Sequence, residues 1–151
     1  MSTTMSTTMP TTTSSSSSCM TDITHVCTLI TTSSFFPGLL TLMYSLRPHL
    51  PPSVQCIIFY TPDTVQTPPL ENLVALLNAD AADDGQTLTQ QYVLRPLMPL
   101  KAPENQNNWC YTKLRIFSPS HYSSPSPSTS TSPPSHVLYL DSDTLLLSSP
   151  F

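Results

Sequence analysis

The stretch His136-Val-Leu-Tyr-Leu-Asp141-Ser-Asp143-Thr-Leu-Leu-Leu147 decides how the chain is read. Val137 to Leu140 has the length and apolar character of a short buried strand, and it runs straight into two carboxylates one residue apart. In an extended backbone, residues i and i+2 point to one side, so the pattern predicts that Asp141 and Asp143 face a common site. Paired hard carboxylate oxygens suit Mg²⁺ or Mn²⁺, which take further ligands from water and substrate phosphates. The strand in front would hold the pair at a carboxyl end, where open α/β sheets bind ligands. The plain alternative is two solvated turn carboxylates. Apolar sequence on both sides weighs against it, since unpaired charge is costly to leave there.

Working outward, the sequence before this stretch alternates between strand and helix patterns. His25 to Thr32 is a β-branched run ending in hydroxyl residues. Ser33 and Ser34 are candidate helix N-caps, Pro37 fits a first turn, and Gly38 permits a close approach there. Phe36, Leu39, Leu40, Met43 and Leu46 recur at helical spacing, and Pro48 stops that helix at Arg47. Val54 to Tyr60 is a second buried strand. Leu70, Leu73, Val74 and Leu77 mark one face of a short helix, and Asp80, Asp83, Asp84 and Gly85 read as a solvated acidic loop. Gln91 to Leu94 is a third strand. Asn108 to Phe117 is a third helix, with Trp109, Thr112 or Lys113, Ile116 and Phe117 as candidates for its inner side. Lys113 is either a surface lysine lying along its apolar stem or an ammonium aimed at the strand ends beside the aspartates. Strand and helix alternating at this period imply βαβ units, hence an α/β fold with a parallel sheet and flanking helices.

Composition bounds the rest. The 151 residues include 17 prolines and only two glycines, and 9% are charged. Residues 1–18 contain fourteen Ser and Thr, too little apolar surface to offset the entropy of ordering, so 1–22 is expected to be disordered. Ser118 to Ser135, almost entirely Ser, Thr and Pro, reads as a flexible or polyproline-like insertion within a domain spanning 23–151. That leaves about 115 residues of globular chain, small for a doubly wound enzyme. A net charge of −4 with five Lys and Arg argues against a nucleic-acid partner. No run reaches the roughly 18 apolar residues of a membrane helix, and Met1 to Ser18 lacks the basic and apolar regions of a secretory signal. Cys19, Cys27, Cys56 and Cys110 form no Cys-x-x-Cys and read as buried thiols in a reducing compartment, so a cytoplasmic setting is expected.

Three blocks then carry a family resemblance: Thr28-Leu-Ile-Thr-Thr32 before Pro37-Gly38, Tyr111-Thr-Lys-Leu-Arg-Ile-Phe117, and Val137-Leu-Tyr-Leu-Asp-Ser-Asp-Thr-Leu-Leu-Leu147. Together they resemble the N-terminal half of a glycogenin-like glycosyltransferase of family 8, across roughly residues 25–148. The resemblance implies an incomplete, Rossmann-like GT-A nucleotide-sugar-binding half. It further implies a UDP-sugar donor, Mn²⁺ (or Mg²⁺) on the Asp-x-Asp diphosphate site, and hexosyl transfer with retention. By position, Leu29, Thr31, Thr32 and Phe35 would line the uridine pocket, with Phe35 stacking on the base. Lys113 would contact the donor, Ser142 would lie between the metal-binding aspartates, and Asp143 would be the direct metal ligand. Asp141 would also reach the ribose.

The departures shape a further expectation. Thr32 stands where the family commonly has Asn, and Phe35 where it has Tyr. The distal His-x-x-Gly-x-x-Lys-Pro motif, which supplies the family's third metal ligand, does not occur, and His25, His49, His121 and His136 match none of its positions. The chain therefore resembles a fragment, expected to be inactive by itself. Its catalytic residues and acceptor (protein, glycan or lipid) are not legible. The rival readings are a truncated, non-catalytic nucleotide-sugar-binding or interaction module, and a disordered Ser/Thr/Pro-rich interaction protein, which the coherent βαβ pattern disfavours. A sheet cut at an apolar edge also makes pairing into a homo-oligomer an expectation.

Overall fold

In the computed structural model, residues 23–83, 91–100, 108–122, 136–148 and 150 are described. The segment 1–22 expected to be disordered, Asp84 and Gly85 of the acidic stretch, and residues 123–135 of the insertion lie outside them. Four strands form one all-parallel sheet: β1 (Ile23–Ile30), β2 (Gln55–Tyr60), β3 (Tyr92–Pro96) and β4 (His136–Tyr139). The helices α1 (Phe36–Leu46), α2 (Thr67–Asp83) and α3 (Asn108–Arg115) lie in the connections. The strand order is β3-β2-β1-β4, so the chain steps outward through β2 and β3, then returns to pair β4 with the other side of β1. The fold is the expected α/β arrangement, and the direction of winding reverses between β1 and β4.

β1 and β2 are near-continuous apolar runs because both faces of the sheet are covered. Val26, Ile30, Cys56 and Ile58 face α1 and α2, packing with Leu39, Leu42, Met43, Leu46, Leu70, Leu73 and Leu77. Cys27, Leu29, Ile57 and Phe59 alternate to the other face and meet Leu97, Ile116 and Tyr122. The spacing Leu39, Leu42, Met43, Leu46 is one helical stripe, all fully buried. α1 ends at Arg47, whose N–H bonds the Met43 carbonyl, and a 3₁₀ turn containing Pro48 follows.

Several local expectations are corrected. Ser33 and Ser34 do not cap α1. Instead Ser33 Oγ accepts from the Gln66 N–H at 3.1 Å, and Ser34 Oγ pairs with Thr32 Oγ1 at 2.6 Å. Asp80 and Asp83 lie within α2, not in a loop, and Asp80 pairs with Arg47 at 2.8 Å. β3 runs from Tyr92 to Pro96, two residues past its expected end, because an outer strand tolerates a proline that gives no ladder hydrogen bond. The free edge of β3 is covered by Asn78 of α2, whose amide accepts from Tyr92 N–H and donates to Tyr92 C=O, both at 3.0 Å. Thr112 of α3 and Ile116, in the turn just past its end, are buried, while Phe117 is exposed and not on the inner side.

The first residues of the expected insertion are structured. Ser118–Tyr122 is ordered around a 3₁₀ turn, and Tyr122 is buried, with its hydroxyl donating to the Ile116 carbonyl at 2.6 Å. One aromatic ring outweighs the polar character of its neighbours by filling the space beside Cys27 and Phe59. β4 is half-buried where full burial was expected, since among the described residues it pairs with β1 alone. Among the described residues, no helix is long and apolar enough to cross a membrane.

Candidate functional site

At the switch between β1 and β4, the two carboxyl ends lie side by side. Strand β4 delivers Asp141 there: the Leu140 N–H continues the ladder to the Cys27 carbonyl at 2.9 Å, and the chain then leaves the sheet. The Thr144 N–H bonds the Asp141 carbonyl at 3.0 Å, making Ser142 and Asp143 the central residues of a tight turn. Strand alternation therefore stops at Asp141 and does not set where Asp143 points, contrary to the sequence reading. Both carboxylates are exposed.

Gly38 fixes the position of this turn. A Cβ at Gly38 would stand 2.9 Å from the Ser142 carbonyl oxygen and 3.3 Å from Asp143 Cα, so only glycine lets the first turn of α1 lie against the acidic turn. Ser142 is buried beneath this contact. The chain beyond is tied down as well, with the Leu146 N–H donating to Ser45 Oγ at 3.2 Å.

Lys113 arrives from α3, held by the buried Thr112 and Ile116 on either side of it in sequence. Its ammonium forms an ion pair with Asp141 Oδ1. The Tyr139 hydroxyl donates to the same oxygen at 2.8 Å, and Lys113 Nζ lies 5.6 Å from the centre of the Tyr139 ring. The Lys113 hydrogen bond holds the Asp141 carboxyl below its ordinary range; burial opposes it with the next-largest effect, and the Tyr139 hydroxyl adds a smaller lowering contribution. Burial, then the bond to Asp141, pushes the Tyr139 hydroxyl up, so it stays a donor at neutral pH. Side-chain exposures of 45% for Lys113 and 52% for Asp141 leave the pair screened by water, worth at most about 1 kcal/mol of stability.

The residues expected to meet a nucleoside sit at the end of β1. The Thr31 carbonyl accepts from Thr61 Oγ1 at 2.9 Å and also from Thr64 Oγ1. Thr32 opens the 3₁₀ turn Ser33–Phe35, and Phe35 is 46% exposed. Leu29 differs from the rest, since its side chain is packed in the core against the α3 side of the sheet. A cavity of about 170 Å³ lined by Ser33, Phe36, Val65, Gln66 and Pro69 lies between the β1–α1 and β2–α2 loops, and none of the eight expected site residues lines it.

The structure thus joins Lys113 to Asp141 and seats Ser142 and Asp143 on Gly38, with Thr31, Thr32 and Phe35 on the neighbouring strand end. Tyr139 is the member that sequence reasoning missed. The signal was present: Tyr139 and Asp141 are two apart at the end of one strand, the spacing that puts side chains on one face. Among the described residues, no three His, Cys, Asp or Glu side chains converge. Compared with models of known protein families and with curated proteins, the chain matches none.

Proposed function

We propose that the chain forms the donor-binding half of a retaining hexosyltransferase that takes a UDP-sugar with Mn²⁺ or Mg²⁺, as in the glycogenin-like enzymes it resembles. The observation that carries this reading is the meeting of Lys113 with Asp141 at the β1–β4 switch point, the place in an open α/β sheet where ligands bind. The donor set fits the ion. Asp141 and Asp143 stand exposed at one turn, and carboxylate oxygens are hard ligands. Asp143 and Asp141 would hold the ion, which when bound supplies charge neutralisation for the UDP leaving group. Lys113 would donate to the diphosphate, and Phe35, with Thr31 and Thr32, would receive the nucleoside. A cytoplasmic setting accords with the free, buried thiols of Cys27 and Cys56, which burial pushes up to about 11 and about 12. The acceptor is a protein, glycan or lipid. Titration calorimetry with UDP tests the reading: binding should require Mn²⁺ and weaken at least tenfold, roughly 1.4 kcal/mol, in Asp143→Ala. Equal affinity with and without Mn²⁺ would refute it.

A second reading, a non-catalytic nucleotide-sugar-binding or interaction module, is favoured by the apolar chain after the acidic turn. Leu145 and Leu147 are 58% and 87% exposed, beside a β4 that is only half-buried. Self-association in size-exclusion chromatography, abolished by Leu147→Glu, would support it.

A further inference from the structure

We infer that Lys113 is the resident counter-cation of Asp141: it competes with a divalent ion for that carboxylate and is drawn away by a diphosphate. The inference rests on the donor-site reading above and adds an order to it, in which the acidic turn takes a metal ion poorly until a phosphate-bearing ligand engages Lys113.

Three features of the geometry carry it. First, both donors converge on one oxygen, Asp141 Oδ1, so Lys113 and Tyr139 bind the carboxylate together and not at opposite ends. Second, the parts of the site differ in freedom. Asp141 is fixed by its strand, by the turn bond from Thr144 and by the close seat of that turn on Gly38. Lys113 is anchored through its backbone, with Thr112 and Ile116 packed, and its half-exposed head rests on Asp141 and over the Tyr139 ring. Its ammonium can leave Asp141 by rotating about the four-carbon stem, with no core contact broken. Third, a pair this open to water adds little to folding, so stability does not account for a lysine reaching from α3 to the end of β4. A cation on a carboxylate repels a second cation brought to the same group, whereas phosphate oxygens attract it. Lys113 thereby couples the two ligands: its departure frees Asp141, and its new partner is the anion that accompanies the ion.

The test uses the full chain and Mn²⁺ alone, followed by electron paramagnetic resonance of the free ion. Lys113→Met should bind Mn²⁺ roughly three- to tenfold more tightly than wild type in the absence of nucleotide, and bind UDP in the presence of Mn²⁺ more weakly. Lys113→Gln, which keeps a polar head without charge, should do the same and serves if the Met variant folds poorly. Adding Asp141→Asn to either should erase the gain in Mn²⁺ affinity. Unchanged or weaker Mn²⁺ binding in both Lys113 variants, or a gain that survives Asp141→Asn, would overturn the inference. If UDP binds the wild type without regard to Mn²⁺, the donor-site reading fails, while the competition at Asp141 is still judged by Mn²⁺ alone.

Discussion

Tyr139 and Asp141 are joined across the end of β4, the phenol donating at 2.8 Å to the carboxylate oxygen that also receives the Lys113 ammonium. One residue separates them in sequence, and the strand's own alternation brings them to the same side. The aspartate that leaves the sheet is therefore oriented by a residue still within it.

Removing that hydroxyl isolates its contribution. Tyr139→Phe keeps the ring beside Lys113 and is expected to cost about 0.5–1.5 kcal/mol of stability. It should raise the Asp141 pKa and weaken Mn²⁺-dependent UDP binding several-fold. The pH dependence has a definite sign. Asp141 is depressed in the folded state, by Lys113 first, so its contribution is fully present above the ordinary carboxylate value of about 3.9. That contribution is lost as pH falls through the lower folded value. The stability difference between wild type and Lys113→Met should accordingly be flat above about pH 5 and shrink below about pH 4. Denaturant melts across this range check it, and a difference that grows on acidification would contradict the assignment.

Gly38→Ala tests the seating of the acidic turn. The new Cβ meets backbone at 2.9 Å, which cannot swing away as a side-chain end would. A loss of about 1–3 kcal/mol from overpacking should outweigh the roughly 1 kcal/mol that alanine brings to a helix. Urea denaturation would show the sign, and calorimetry with UDP should show weaker binding because Ser142 and Asp143 move.

Asn78→Ala uncovers the outer edge of β3. Both backbone groups of Tyr92 lose their partner, at a cost of about 1–3 kcal/mol. The bared edge should also promote self-association, read as earlier elution in size-exclusion chromatography at increasing concentration. Asn78→Asp, which keeps the acceptor and loses the donor, should fall between wild type and alanine.

Tyr122 belongs to the core although it lies in a Ser/Thr/Pro-rich stretch. Tyr122→Ala should cost about 3–5 kcal/mol by emptying a packed site and removing the bond to Ile116. Thermal melts against wild type check it, and an unchanged melting temperature would contradict a core role for Tyr122.

Sequence alone determined the parallel α/β class, Leu39, Met43 and Leu46 of the buried stripe of α1 (Leu42, which completes it, was not read from the sequence, and Phe36 and Leu40 are only partly buried), and Gly38 as a point of close approach. These are local properties: the period of apolar residues states which face is buried, and a glycine beside a proline in a first turn states where backbone comes near. Tertiary structure decided the rest. That Lys113 reaches Asp141, 28 residues on, depends on β4 returning to the free side of β1 and on α3 packing through Thr112 and Ile116. Neither relation leaves a mark in the periodicity of either segment. Tyr122 shows the same limit, since a lone aromatic among serines and prolines gives no periodic signal and only the space beside Cys27 and Phe59 makes it core. At Asp143 the local rule itself failed, because a hydrogen bond from Thr144 to Asp141 turned the chain where an extended strand would have continued. Patterning fixes which surfaces must be buried, but the meeting of polar groups at the strand ends is set by strand order and by the hydrogen bonds that close each turn.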